Sequence, residues 1–322
     1  LLNLKMIKVT LNDGSIREYE SGISVISVAK DISEGLARNV ISAKFNNKIL
    51  ESNSLLKEDG VLEFYTWENE EGKKAFWHSS SHVMAQALQE LYPGIKLTIG
   101  PAIKNGFYYD IDLRNHKISE SDFTNIENKI LEICRGKFDF NLKNVSKKEA
   151  LNFYENEDNP YKLELINDLN DNEITFCDHS NFTDLCKGGH IPNTSLIKAV
   201  KILNISGAFW RADKNNKQLT RVYGISFPKQ KLLKEYLHNL EQAKLRDHRK
   251  IGKNLKLFAF SNKVGQGLPL WLPKGVELRT RLEDFLKKAQ KKAGYQMVMT
   301  PHIGNKELYV TSGHYDKYGD DS

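Results

Sequence analysis

AFWHSSSHVMAQALQELYPG, residues 75–94, reads as one amphipathic helix that carries two histidines. Trp77, Met84, Leu88 and Leu91 share a stripe that faces a core, and Pro93-Gly94 ends the helix. His78 and His82 project from one face, one turn above the other. At about 100° per residue they sit roughly 120° around from the stripe, bordering the buried face where pocket-lining side chains belong. Further along, CKGGH at Cys186–His190 offers a second pair with the same spacing. Two such pairs closing on each other can hold a metal, or can hold and activate a water for hydrolysis.

The 322 residues suffice for two or three domains, each with its own core. No apolar run approaches the roughly 20 residues of a membrane span, and no secretory leader pattern stands near Leu1. Cys134, Cys177 and Cys186 are too few for a disulfide framework, so the chain reads as cytoplasmic and reduced, without a membrane partner. The net charge of +6 is modest but unevenly placed, with Lys244, Arg246, Arg249, Lys250, Lys253 and Lys256 in one short stretch. That stretch reads either as a solvated linker helix or as a surface for nucleic-acid phosphates.

Working towards the start of the chain, MIKVTL (6–11) alternates like a strand, and Asn12-Asp13-Gly14 turns it into Ile16–Tyr19. Val25, Val28, Ala29, Ile32 and Leu36 predict one amphipathic helix. Asn46-Asn47 marks a hairpin within Ile41–Leu50, and Val61–Thr66 closes a small β-grasp, ubiquitin-like unit, with Glu68–Lys74 as its linker. In the other direction, NGFYYDID (105–112) predicts an aromatic strand and Asp122–Arg135 a charged helix. Glu173–Phe176 and Lys198–Ile205 predict strands, and GAFWRADKNNKQLTRVYGISF (207–227) a hairpin bent at Asp213–Asn216. Lys229–Lys250 reads as a long charged helix, Gly275–Ala293 as an amphipathic helix, and Gln296–Thr300 as a strand. Tyr108, Tyr109, Phe209 and Trp210 read as core aromatics.

These pieces, in this order, resemble the bacterial threonyl-tRNA synthetase family over nearly the whole chain. The β-grasp start is similar to that family's TGS domain. HSSSH with CKGGH, joined by NGFYYDID and GAFWRADKNNKQLTRVYG, is similar to its second additional domain, which edits mischarged tRNA. LRDHRKIGKNLKLF (245–258) resembles the approach to the catalytic domain, Gly275–Pro301 resembles class II motif 1, and GHYDKYGDD (313–321) resembles the segment that follows. The implied fold is α+β. It comprises a TGS β-grasp domain at 6–67, an α+β editing domain at 75–228, a linker helix at 229–250, and the start of a class II antiparallel-sheet domain at 251–322. Motifs 2 and 3 would lie beyond Ser322, and LLNLK stands ahead of Met6, so the chain is expected to be a fragment. In such a fragment only editing would be competent. The complete enzyme, by resemblance, is a homodimer that uses ATP, magnesium and a catalytic zinc.

The resemblance assigns His78, His82, Lys162, Asp184, Cys186 and His190 to the editing pocket. Its expected substrate is seryl-tRNA(Thr), because one methyl group gives only about 1–3 kcal/mol of discrimination, or 10–200-fold, at a single site. Lys162 is expected to hold the terminal ribose or a developing negative charge, and Asp184 the amino group of serine. Cys186 is expected to shape the pocket, since nothing in the sequence lowers its thiol pKa. His78, His82, Cys186 and His190 also form a zinc-type ligand set. Three positions depart from the family pattern: Lys187 and Gly189 stand for its arginine and proline, and Cys177 for a tyrosine. Arg211, Arg221, Arg246, Arg249 and Lys250 are candidates for contact with tRNA(Thr). Two other readings remain open here: a free-standing trans-editing hydrolase, and a zinc-stabilised RNA-binding module without enzymatic activity.

Overall fold

The computed structural model describes residues 5–318. The leading Leu1–Leu4 and Gly319–Asp321 of the last family-like segment lie outside the described residues. The chain forms two compact units, Leu1–His238 and Asn239–Ser322.

The first unit begins with a five-stranded sheet. Met6–Leu11 pairs antiparallel with Ile16–Glu20 and parallel with Gly60–Tyr65. Gly60–Tyr65 pairs antiparallel with Ser42–Phe45, which turns into the edge strand Lys48–Glu51. The turn is made by Asn46 and Asn47 at φ 46° and 69°. Asparagine tolerates that left-handed pair, which matches the twist of a two-residue hairpin. Ile7, Val9 and Leu11 alternate inward to meet Val25 and Val28 of the crossing helix. The β-grasp expected from the alternation is therefore present.

Two local expectations fail. The single helix predicted from Val25 to Leu36 is two, Val25–Ile32 and Glu34–Asn39. Ser33 is extended at φ −166°, closes the first helix, and caps the second by accepting from the Leu36 N–H. Glu68–Lys74 is not a linker, because the helix Glu70–Leu91 already starts inside it. The junction is stiff: Trp67 lies edge-on to Phe76, Trp77 and Phe227, with ring centroids 5.0, 5.8 and 5.5 Å away.

Glu70–Leu91 packs with helix Phe123–Arg135 on an antiparallel sheet ordered Ala199–Phe209, Gln218–Phe227, Gly106–Asp112 and Lys96–Leu97. The hairpin bend falls at Asp213–Asn216 as the sequence predicts. Alternation along Gly106–Asp112 buries Phe107, Tyr109 and Ile111 beneath the long helix. A second sheet, Asn141–Asn144, Thr175–His179 and Phe182–Leu185, carries the helices Lys147–Asn156 and Pro160–Asn167, which the sequence reading left unassigned. Both helices are short, and Asn159 with Pro160 provides the clearest start signal. Of the four aromatics assigned to the core, Tyr109 and Trp210 are buried, Tyr108 is half-buried, and Phe209 is exposed.

The charged helix predicted over 229–250 breaks in two, Gln230–Leu245 and His248–Asn254, because Asp247 leaves the helical conformation and caps the second piece. In the second unit, Phe258–Ala259 pairs with Leu270–Trp271, and the helix Pro273–Lys292 follows. That helix presents Leu278, Leu282, Phe285 and Leu286 to the surface. Gln296–Thr300 is not a strand: no ladder partner stands beside it among the described residues, and Met299 is 99% exposed. A strand needs a neighbour to satisfy its backbone, and alternation alone does not supply one.

Candidate active site

The helix Glu70–Leu91 is buried on more of its circumference than its stripe implies, with Ser79, Ser80, Ser81 and His82 all inside. The serines explain how. Ser79 Oγ donates to the Ala75 carbonyl (2.8 Å) and accepts from the N–H of Ile191 (2.9 Å), fastening the end of the CKGGH loop to the helix. Ser80 Oγ bonds the Phe76 carbonyl (2.8 Å) and meets Ser226 Oγ (2.6 Å). Ser81 Oγ sits between the carbonyls of His78 (2.7 Å) and Gly100 (2.5 Å). Small hydroxyls that back-bond to their own helix let neighbouring backbone approach without an orphaned polar group.

This seam brings the two pairs together. His78 Nε2 lies 3.0 Å from Cys186 Sγ, which lies 3.2 Å from His190 Nε2. His82 stands beside both other histidines, its ring centre 4.8 Å from that of His78 and 5.2 Å from that of His190. On its far side His190 Nδ1 lies 2.6 Å from Glu51 Oε1 and 3.5 Å from Cys177 Sγ, and its ring stacks on Phe140 at 5.3 Å and 3°.

Asp184 and Lys162 form the next layer. Lys162, 2% exposed, places Nζ 2.5 Å from Asp184 Oδ1, which Tyr154 OH also approaches at 3.4 Å. Asp184 Oδ2 accepts from Tyr109 OH at 2.6 Å, and His82 Nδ1 is 3.1 Å away but off the hydrogen-bonding angle. Four groups thus converge on this carboxylate. A substrate amino group, expected to reach Asp184, would share that carboxylate with Lys162 and Tyr109, and the pair stands beside His82.

Burial pushes the Asp184 carboxyl up, but the Lys162 charge and His82 outweigh it and hold Asp184 below the usual carboxylate range. Burial likewise resists ionisation of Cys186, yet the charge of His82 and the hydrogen bonds with His190 and His78 bring the thiol well below its ordinary value. The expectation that nothing lowers this thiol is corrected: the lowering comes from histidines remote in sequence. Burial also lowers the His190 ring, but Cys177, Cys186 and Glu51 outweigh it and raise the ring well above its ordinary value. His78 is held below its ordinary value, chiefly by burial.

The donor atoms of His78, His82, Cys186 and His190 all lie within 4.8 Å of one another. Three imidazoles and one thiolate make a zinc-type donor set, and His82 Nε2 is buried without a hydrogen-bond partner. The residues fit a tetrahedral divalent ion. The cluster opens on a cavity of about 1490 Å³ that His78, His82, Lys162, Asp184, Cys186, Lys187, Gly188 and Gly189 line.

Among the tRNA candidates, Arg221 is gripped by both Asp110 oxygens at 2.7 Å and lies 3.9 Å over the Tyr108 ring. Arg211 pairs with Glu164 (2.7 Å) and Asp168 (2.5 Å). A phosphate would have to compete with those carboxylates. Arg249 is paired locally with Asp247 at 2.7 Å, while Arg246 and Lys250 share the short basic stretch that crosses the break between the two helices.

His179 lies behind the pocket wall between Phe140 and Phe182, with ring centres 4.8 and 5.2 Å away, and neither of its nitrogens has a partner. Burial, then the charges of His82 and His190, pushes it down to about 3. The unfolded chain protonates this side chain below about pH 6.5 while the folded one does not. Stability is therefore untouched above that pH and falls by up to ~1.4 kcal/mol per unit as pH drops towards the folded value. Urea midpoints followed from neutral pH into acid should show a flatter decline for His179→Phe; parallel declines would mean that this histidine is not the neutral buried group described.

A ubiquitin-like sheet here precedes an α+β domain that gathers histidine, cysteine and lysine at a cavity. Residues 7–66 match the TGS domain model, and residues 174–223 match the threonyl and alanyl tRNA synthetase second additional domain. The latter match includes CKGGH and the hairpin but not HSSSH, which geometry alone adds. The chain is homologous over 98% of its length to threonine–tRNA ligases, with 69% identity to that of Flavobacterium johnsoniae, 67% to that of Flavobacterium psychrophilum and 58% to that of Cytophaga hutchinsonii. It spans about half, 49%, of the length of these relatives.

Sequence spacing points to the outer pairs, while Glu51, Ser79, Tyr109 and Tyr154 escape it. Glu51, Tyr109 and Tyr154 come from elements whose contact with the site exists only after folding, and Ser79, inside HSSSH, reaches Ile191 only then.

Proposed function

We propose that the cavity is an editing site that hydrolyses the serine ester of tRNA(Thr), within an enzyme whose complete form attaches threonine to tRNA(Thr) using ATP. The reading rests above all on a chain of short contacts from His78 through Cys186 to His190, the first two of which line the cavity. Ester hydrolysis requires a positioned water, stabilisation of the oxyanion and a proton for the leaving ribose oxygen. His78, the one member of the cluster that is not fully buried, orients the attacking water and takes its proton. That proton passes to the ribose oxygen as the ester C–O bond breaks. Lys187 and the backbone of Gly188 and Gly189 face the developing oxyanion from the lining loop. The Lys162–Asp184 pair keeps His82 in place. A zinc ion held by His78, His82, Cys186 and His190 would supply a Lewis acid and a water of lowered pKa.

The reading takes tRNA(Thr) as partner, in the cytoplasm, with a homodimer, magnesium and a catalytic zinc in the complete enzyme. Among the described residues no helix is long and apolar enough to cross a membrane. Purified chain should deacylate seryl-tRNA(Thr) faster than threonyl-tRNA(Thr) by about 10–200-fold, the range that one methyl group permits. Metal analysis of the same preparation tests the zinc assignment. Equal hydrolysis of the two esters would rule the reading out.

A further inference from the structure

The edge strand Lys48–Glu51 belongs to the β-grasp sheet, yet its last residue reaches the proposed catalytic cluster. Glu51 Oε1 is 2.6 Å from Nδ1 of the fully buried His190, and the Glu51 side chain is itself only 16% exposed. Ile49, from the same strand, lines the cavity. Ile41 belongs to the same hydrophobic cluster as Phe76, Cys186 and Ile191, so the sheet is packed against the editing domain and not merely near it. In the CKGGH loop Gly188 has φ +89°, and a Cβ there would lie 3.9 Å from Glu51 Oε1 and 2.9 Å from Leu142. The loop therefore passes close beside the carboxylate, and glycine makes that passage possible. Phe140 covers the flat face of the His190 ring, and Cys177 offers Nδ1 only a distant sulfur.

We infer that Glu51 is a positioning residue of the editing site: it accepts the Nδ1 proton of His190 and so aims Nε2 at Cys186, which lines the cavity. The β-grasp domain thereby completes the hydrolytic pocket. The inference rests on the editing reading for its rate effect, but not for the hydrogen bond. A carboxylate behind a working histidine fixes the ring's orientation and tautomer, and loss of such a partner commonly costs about 10–100-fold in activity or metal affinity.

The test uses the full chain with Glu51→Ala and Glu51→Gln, following seryl-tRNA(Thr) deacylation and the proton NMR resonance of the His190 Nδ1–H. In the parent, a low-field resonance that disappears in a His190→Gln control identifies the bond. Glu51→Ala is expected to abolish that resonance and lower kcat by about 10–100-fold with KM unchanged. Glu51→Gln, whose amide oxygen can still accept, should keep a shifted resonance and restore most of the rate. Persistence of the resonance in Glu51→Ala would overturn the inference, as would equal losses in both variants arising through KM. If the parent chain hydrolyses no ester, the editing reading falls, while the resonance still decides whether Glu51 holds His190.

Discussion

Replacing His190 with alanine is expected to lower seryl-tRNA(Thr) deacylation by about 10²–10⁴-fold, the range for loss of a group that assists proton transfer. The size of the effect follows from where the ring sits. Its Nε2 is 3.2 Å from Cys186 Sγ and its Nδ1 2.6 Å from Glu51, so one truncation removes a neighbour of the Cys186 sulfur and leaves the carboxylate facing a void. His78→Ala should fall in the same range, because it removes the other neighbour of Cys186, at 3.0 Å. The double variant should be little worse than either single one, since residues that act as a unit are strongly non-additive. Single-turnover deacylation separates the chemical step from product release. Unchanged rates in both single variants would refute a role for the cluster in the reaction.

Lys162→Met is expected to cost about 3–5 kcal/mol of stability, the penalty for removing one partner of a buried ion pair. Lys162 and Asp184 are 2% and 3% exposed, and their 2.5 Å contact lies on the inner wall of the pocket. Methionine fills the volume of the lysine stem but leaves the carboxylate with only Tyr109, Tyr154 and His82 beside it. Adding Asp184→Asn should recover part of the loss, because the unpaired charge is then gone. Urea denaturation of the parent, the two single variants and the double variant gives the coupling directly. A loss below about 1 kcal/mol in Lys162→Met would be the behaviour of a solvent-exposed pair, and the buried pair would have to be abandoned.

What the sequence makes legible is what short-range spacing controls. Alternation in Met6–Leu11 and the Asn46-Asn47 turn are local signals, and they place the β-grasp strands correctly. The two pairs His78/His82 and Cys186/His190 are visible for the same reason. The failures come where local and non-local demands compete. Ser33 had no reason, on apolar periodicity alone, to interrupt a helix, but its side chain caps the next one. Gln296–Thr300 has the composition of a strand without a neighbour to pair with among the described residues. The contact between Glu51 and His190 joins residues 139 positions apart, a distance at which no spacing rule operates.

That separation also orders the assembly of the site in time. A ribosome adds about 5–20 residues per second, so Glu51 is made some 7–28 s before His190 can reach it. Within that interval Gly60–Tyr65 is made and completes the β-grasp sheet, leaving Lys48–Glu51 as its edge strand with one row of backbone groups open. The first-born domain thus acts as a template on which the later loop must land.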